Sequence, residues 1–218
     1  MRRLTVLMFL FLIPCLVTTA SGGTNSALPP DQALKLLTEG NARFVSGKRL
    51  FPNQTAARRQ ALTGGQQPFA IVVCCSDSRV PPELVFDRGF GDLFVVRTAG
   101  HAVDQAALGS IEYAVDHLGV RLIFVLGHEK CGAVSAVVAG GHAPGHIANI
   151  VYAIAPAVKA ARRLKGDLVA NSVRLHVKST AAAIWRSGPT IARFTSRNLV
   201  RVVGGVYGLA GGKVTLVP

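Results

Sequence analysis

FAIVVCCSDSRVPPELVF, residues 69–86, is the stretch from which the fold can be worked out. Its first part is a short apolar run, the pattern of a strand that is buried on both faces. Pro81 and Pro82 come soon afterwards, and prolines suit the first turn of a helix but cannot continue a central strand. The polar residues in between therefore lie at the carboxyl end of a buried strand, where open α/β sheets bind their ligands.

Three chemically active side chains occupy this strand end: Cys75, Asp77 and Arg79. If the chain is still extended here, all three point to one side and Cys74 points to the other, because side chains alternate along a strand. A thiol, a carboxylate and a guanidinium are costly to bury unless they are paired or bound to a metal. The segment therefore predicts a functional site rather than core packing.

The rest of the chain alternates between strand and helix patterns, which indicates an α/β fold with a mostly parallel sheet flanked by helices. The amphipathic segment 31–44 forms an N-terminal helical arm, and the segments 198–209 and 213–217 predict a C-terminal hairpin. The other predicted strands are 92–98 and 121–126, and the other predicted helices are a short one beyond Pro82, 106–118, 133–138, 147–164 and 168–186.

The first twenty residues have the pattern of a secretory signal peptide. Arg2 and Arg3 precede an apolar run over 4–17, and small residues follow it. A membrane anchor that stays uncleaved is the alternative, but the run is short for a span. We therefore expect an exported, periplasmic protein with no stable membrane span, divided into the signal peptide (1–20), the helical arm and linker (21–67) and one α/β domain (68–218).

The helical arm predicts an oligomer. Its apolar stripe includes Ala33, Leu37 and Phe44, and the linker from 47 to 67 shows almost no periodicity. A loosely tethered apolar helix has to bury its stripe. Because this stripe has no obvious partner within the chain, a second subunit is a natural place for it. We therefore expect a homodimer or a higher homo-oligomer, with the arm crossing the interface.

The chain is strongly basic, with a formal net charge of +13. Such a balance often indicates a nucleic-acid partner. Export argues against that partner, so we predict no nucleic-acid binding and assign the charge to a solvated face, an acidic envelope surface or the steering of a small anion.

A second polar cluster follows the strand predicted over 121–126: His128 and Cys131, spaced H-x-x-C. The carboxyl ends of parallel strands share one edge of a sheet, so these residues should lie near Cys75. Two thiolates and an imidazole are donors that zinc prefers, and three protein ligands leave a fourth position open. Asp77 could fill that position, which would give a closed structural site, or stand just outside it.

Four motifs carry a resemblance to the β-class carbonic anhydrases: CSDSRVPPE, GDLFVVR, SIEYAVDHLGV and GHEKCGAV, in this order. The resemblance covers most of residues 31–218. It implies a zinc ion (Zn²⁺) as cofactor and a catalytic aspartate–arginine dyad. The implied residues are the zinc ligands Cys75, His128 and Cys131, the dyad Asp77 and Arg79, and the substrate-pocket residues Gln66, Phe94 and Tyr113.

The activity that this resemblance implies is the reversible hydration of carbon dioxide to bicarbonate and a proton, by a zinc-bound hydroxide that the dyad assists. A hydrolase of carbonyl sulfide or carbon disulfide is an alternative on the same scaffold. A non-catalytic zinc-binding envelope protein is another, although a structural site needs no Arg79 to restrain Asp77. His101, where the family commonly has asparagine, is a candidate proton shuttle on chemical grounds.

Overall fold

The structure is a computed structural model, which describes residues 27–140 and 143–218; the predicted signal peptide lies outside these residues. Five strands form the sheet: β1 (Ala70–Cys75), β2 (Leu93–Thr98), β3 (Leu122–His128), β4 (Arg201–Tyr207) and β5 (Val214–Val217). The helices are α1 (Pro30–Val45), α2 (Ala56–Ala61), α3 (Pro82–Val85), α4 (Gln105–Asp116), α5 (Gly132–Ala139), α6 (Ile147–Ala161), α7 (Leu168–Arg186) and α8 (Thr190–Thr195).

The strands are ordered β2-β1-β3-β4-β5 across one sheet. The first four run parallel, and β5 pairs antiparallel with β4 to form the predicted C-terminal hairpin. The α/β class and the mostly parallel sheet are thus confirmed. Because β1 and β3 are neighbours, their carboxyl ends lie side by side and bring the two polar clusters of the sequence together.

The two faces of the sheet are covered by different helices. On one face, Ile71 and Val73 of β1 pack with apolar side chains of α4 and α7. On the opposite face, Val72 and Cys74 pack against α1 and the residues around α3. This division follows from strand alternation, and every residue of β1 is buried because both faces are covered.

Helix α1 packs on its own chain, so the expectation that its stripe lacks an intrachain partner is wrong. Ala33 and Leu37 are fully buried in the cluster that contains Val72. A side chain at Gly40 would place a Cβ 1.8 Å from the carbonyl oxygen of Phe86, so glycine allows the close approach. The sequence pattern showed the apolar stripe of α1 but not the surface that receives it.

Two short helices, α2 and α8, were not predicted. Each has six residues, which is too short for an apolar periodicity to be recognised. In α2 the N-cap is Thr55, whose hydroxyl accepts a hydrogen bond from the backbone N–H of Arg58, and none of its residues is buried. None of the helices in the described ranges combines the length and the hydropathy that a membrane span requires.

Candidate metal centre

Three metal-binding side chains meet at the carboxyl edge of the sheet. Cys75 ends β1, His128 ends β3, and Cys131 immediately precedes α5. All three are buried, and one donor atom from each lies within 4.8 Å of the others. Two sulfur donors and one imidazole nitrogen form a set that suits zinc and leaves a fourth coordination position to be filled.

The imidazole of His128 is oriented for a metal. Its Nδ1 lies 2.9 Å from the carbonyl oxygen of Glu129, and a carbonyl can only accept, so Nδ1 carries the proton. Its Nε2 is then a free acceptor, and this buried atom has no hydrogen-bond partner among the described residues. A buried nitrogen without a partner is costly, and a metal ion would satisfy it. The donor set therefore fits the expected cofactor.

The two thiols form a pair that readily gives up a proton. The hydrogen bond between their side chains lowers the pKa of Cys75 against the effect of burial, and it raises the pKa of Cys131. The backbone N–H of Gly100 also donates to Cys75 Sγ, over 3.2 Å. Cys131 lies at the N-terminus of α5, whose dipole favours a thiolate. The site is thus prepared to hold one of its two sulfur atoms, that of Cys75, as the thiolate that binds zinc.

Asp77 and Arg79 form a bidentate ion pair beside these donors. Arg79 Nε donates to Asp77 Oδ1 over 2.9 Å, and its NH2 group donates to Oδ2 over 2.7 Å. These hydrogen bonds hold the pKa of Asp77 far below its usual range, so the carboxyl is ionised. Asp77 Oδ2 lies 3.7 Å from Nε2 of His128. The carboxylate therefore stands at the edge of the donor set while both of its oxygens are held by Arg79.

Arg97 is a site residue that the sequence reasoning missed. Its guanidinium donates to the carbonyl oxygens of Cys75 and Asp77, over 3.0 and 2.7 Å. It thereby fixes the backbone that carries one ligand and the ionised carboxylate. A signal was present, because an arginine at the end of a predicted strand beside a polar strand end has no role in an apolar core.

The predicted substrate-pocket residues are not brought to the metal centre within one chain. Phe94 pairs with Ile71, whereas Thr98, at the other end of β2, pairs with Cys75. Four residues of strand separate the two positions, about 13 Å. The ring of Tyr113 lies 6.4 Å from that of Phe94, centre to centre. Gln66 is exposed and precedes β1, so it too belongs to the amino end of the sheet.

His101 does not have the surroundings of a proton shuttle, which corrects the suggestion made from its chemistry. It is fully buried, and neither ring nitrogen has a hydrogen-bond partner among the described residues. Burial lowers its pKa well below the ordinary value, and the imidazoles of His176 and His128 act in the same direction. A neutral imidazole without access to solvent cannot hand a proton to bulk water.

Sequence comparisons extend this description. A protein-family model described as carbonic anhydrase matches residues 70–214. The carbonic anhydrase of Mycolicibacterium smegmatis is 45% identical over 191 residues, which cover 86% of this chain and 93% of the relative. Carbonic anhydrase 2 of Mycobacterium tuberculosis is 44% identical, with coverages of 86% and 92%.

Structural comparisons agree. A β-carbonic anhydrase of Coccomyxa superposes with a TM-score of 0.62 at 26% identity, covering 84% of this chain and 86% of that one. A tetrameric β-carbonic anhydrase of Sordaria macrospora shares the fold, with a TM-score of 0.66 at 24% identity and coverages of 73% and 85%. The region that the family model matches contains all three donor residues and the ion pair beside them. With this fold, these donors and these relatives, the chain belongs to the β-carbonic anhydrase family.

Proposed function

We propose that this chain catalyses the reversible hydration of carbon dioxide to bicarbonate and a proton. The observation that carries the proposal is the buried donor set of Cys75, His128 and Cys131, within 4.8 Å of one another, in a member of this family. The ionised Asp77, which Arg79 holds beside the set, adds a group that a purely structural metal site does not require.

The residues around the donor set have distinct roles in holding the metal. Zinc, held by Cys75, His128 and Cys131, would supply a Lewis acid that makes a water-derived nucleophile available near neutral pH. Glu129 fixes the tautomer of His128 through its carbonyl oxygen, so that Nε2 remains an acceptor. Gly100 and the start of α5 stabilise negative charge on the two sulfur atoms.

Asp77 serves as an acceptor and orienting group. Its Oδ2 lies beside the space that the three donors face, where it can accept a hydrogen bond from a water molecule and direct that molecule's lone pair towards carbon dioxide. Arg79 keeps the carboxylate ionised and prevents it from turning towards the donors, because both oxygens are engaged by the guanidinium.

The test is stopped-flow carbon dioxide hydration by the purified protein, with zinc quantified in the same sample. We expect about one zinc per chain and turnover that a metal chelator abolishes. Carbonyl sulfide and carbon disulfide are assayed in parallel. Hydrolysis of either without carbon dioxide hydration would assign the alternative activity, and zinc without any turnover would assign a non-catalytic role.

We further propose that the catalytic unit is a homodimer or a higher homo-oligomer in which a second copy completes the substrate pocket. Phe94 lies about 13 Å along the sheet from its own metal centre. The ring of Tyr113 is next to that of Phe94, and Tyr113 is 47% exposed. Gln66 is exposed at the same end. These residues could then line the pocket of a neighbouring subunit, which would also explain why the ring of Tyr113 remains exposed in one chain.

Mixed oligomers test this arrangement. Cys131→Ser removes a metal ligand, and Gln66→Ala removes a predicted pocket residue that is exposed in the single chain. In a dimer of the two variants, one site would combine both defects and the other would combine neither. Co-expressed, doubly tagged hetero-oligomers should therefore show about half of the wild-type activity. Activity no greater than half that of the Gln66→Ala parent would mean that each site is built from one chain.

Export to the periplasm is proposed from residues 1–20 alone, with their basic start and apolar run. Mass spectrometry of the N-terminus of the cell-purified protein tests this. A mature chain that begins near residue 21 and fractionates with periplasmic markers supports export. An intact N-terminus on a protein found in the cytoplasm contradicts it.

A further inference from the structure

A buried histidine outside the donor set is connected to it through a single glycine. His176 lies in α7, is 2% exposed, and places its Nε2 2.9 Å from the carbonyl oxygen of Gly100. Because a carbonyl only accepts, Nε2 must carry the proton and donate it. The other ring nitrogen, Nδ1, has no hydrogen-bond partner among the described residues. The hydrogen bond to Gly100 is therefore the polar contact that the His176 ring makes among the described residues.

Gly100 connects this contact to the metal site. Its own N–H donates to Cys75 Sγ over 3.2 Å. The residue has a φ of 63°, and a Cβ here would lie 2.7 Å from Ile154 Cδ1 and 3.0 Å from Ala133 Cβ. The turn thus depends on glycine in a left-handed conformation. The direction of the Gly100 N–H depends on the conformation of this turn. His176 restrains that conformation through its hydrogen bond to the carbonyl oxygen of Gly100.

The imidazole of His176 is itself fixed by packing. The ring of His101 lies 4.3 Å from it, centre to centre, with 32° between the ring planes. His101 is fully buried, so the two rings restrain each other without contact with solvent. The neighbouring Val177 packs in the apolar cluster against the sheet, on residues other than Gly100 and Cys75. The donor on His176 is therefore preorganised with respect to Gly100.

We propose that His176 is a positioning residue for the metal centre. Through the carbonyl of Gly100 it aims the N–H of that residue at the Cys75 thiolate, which strengthens metal binding by a charge-assisted hydrogen bond. Outer contacts of this kind commonly change metal affinity by about 10–100-fold when they are lost. The inference rests on the proposed function, because it takes the donor set to be a zinc site.

The test compares His176→Gln with His176→Met. The two replacements have nearly the same volume and shape, but only glutamine offers an N–H donor at about the position of Nε2. We measure zinc dissociation constants by chelator competition and the thiolate-to-metal charge-transfer band of the cobalt(II) form. The methionine variant should bind zinc about 10–100-fold more weakly and shift this band. The glutamine variant should stay close to wild type in both measurements.

The controls separate this proposal from packing and from the proposed function. Val177→Ala changes the adjacent buried residue, so it should lower stability but leave the cobalt band unchanged. The proposal would be overturned if zinc binding were weakened equally in the glutamine and methionine variants, or in neither of them. Wild-type zinc content and turnover are measured separately, so a failure of the zinc enzyme itself is recognised as such.

A measurement on the wild-type protein covers the case in which the methionine variant does not fold. In the protein loaded with cadmium-113, the amide proton of Gly100 should show scalar coupling to the metal through Cys75 Sγ. Absence of that coupling would show that the N–H of Gly100 does not donate to the ligand, and the proposal would fail.

Discussion

Two neighbouring cysteines, Cys74 and Cys75, lie on opposite faces of the sheet and in different surroundings. Cys75 faces the same side as Ile71 and Val73, and at its end of the strand it joins Cys131 and packs with Val134 of α5 and Ile154 of α6. Cys74, one residue earlier, faces the side covered by α1, in an apolar cluster with Phe86 and Phe124. Both thiols are buried, so burial alone does not distinguish a ligand from a packing residue.

The difference lies in the partners of each sulfur. Burial raises the pKa of Cys74 to about 12, although Arg97 acts in the opposite direction. Hydrogen bonding with Cys131 lowers the pKa of Cys75 despite burial. The thiolate is the form that binds metal. One face can therefore hold a metal, whereas the other packs against α1. Substitutions on the first face should change metal binding or activity, and substitutions on the second should change stability alone.

Removal of a ligand on the metal-bearing face should have the largest effect. Cys131→Ser replaces a soft sulfur with a hydroxyl that is a poor zinc ligand, and only Cys75 and His128 remain of the donor set. We expect loss of zinc and of essentially all carbon dioxide hydration, measured by metal analysis and stopped-flow assay. A fully metallated, active variant would show that the donor set is assigned wrongly.

Arg79→Ala should have the next largest effect on activity. The variant loses the bidentate pair with Asp77 but none of the three donors, so zinc content should stay near one per chain. Turnover should fall on the order of 10²-fold, because the carboxylate is no longer oriented and can turn towards the metal. Arg79→Lys keeps the positive charge but cannot form the bidentate pair, so its turnover should lie between those of wild type and Arg79→Ala. Near-normal turnover in the alanine variant would limit Arg79 to a structural role.

The sequence was sufficient to predict the three donor residues of the metal centre because the patterns that identify them are local. Cys75 ends a strand that is apolar throughout, and the H-x-x-C cluster follows another, so strand-end geometry predicts their proximity. His176 gave no such signal, since a single histidine in a helical pattern does not reveal which carbonyl it meets. Its partner, Gly100, is 76 residues away in the chain.

The opposite face was harder to predict for a related reason. The apolar stripe of α1 was evident, but its receiving surface is assembled from β1, β3 and the residues around α3. Asn41, at the centre of this contact, looks like an ordinary polar residue in the sequence. Only the folded chain shows that it satisfies backbone groups from two distant segments.

Asn41→Ala should therefore reduce stability and leave the metal centre unchanged. The Asn41 amide donates to the carbonyl oxygens of Val85 and Gly212, over 3.1 and 2.8 Å, and accepts from the N–H of Val214 over 2.8 Å. Loss of these buried partners should lower the free energy of unfolding by roughly 3 kcal/mol. Gln32→Ala, on the exposed side of α1, is the matched control. Zinc loss in folded Asn41→Ala would mean that the two faces are coupled.

The smallest effect is expected from Cys74→Ser, which changes one atom on the face without a metal. The new hydroxyl is buried among apolar side chains, so the free energy of unfolding should fall by about 1–2 kcal/mol, as measured by denaturant titration. Cys74→Ala, which introduces no polar group, separates the cost of the hydroxyl from the loss of the sulfur. Zinc content and carbon dioxide hydration should equal those of wild type in both variants, because the side chain of Cys74 points away from Cys75 and Cys131. If either variant lost its zinc while it remained folded, Cys74 would have to contribute to the donor set, and the assignment of the two sulfurs to opposite faces of β1 would be wrong.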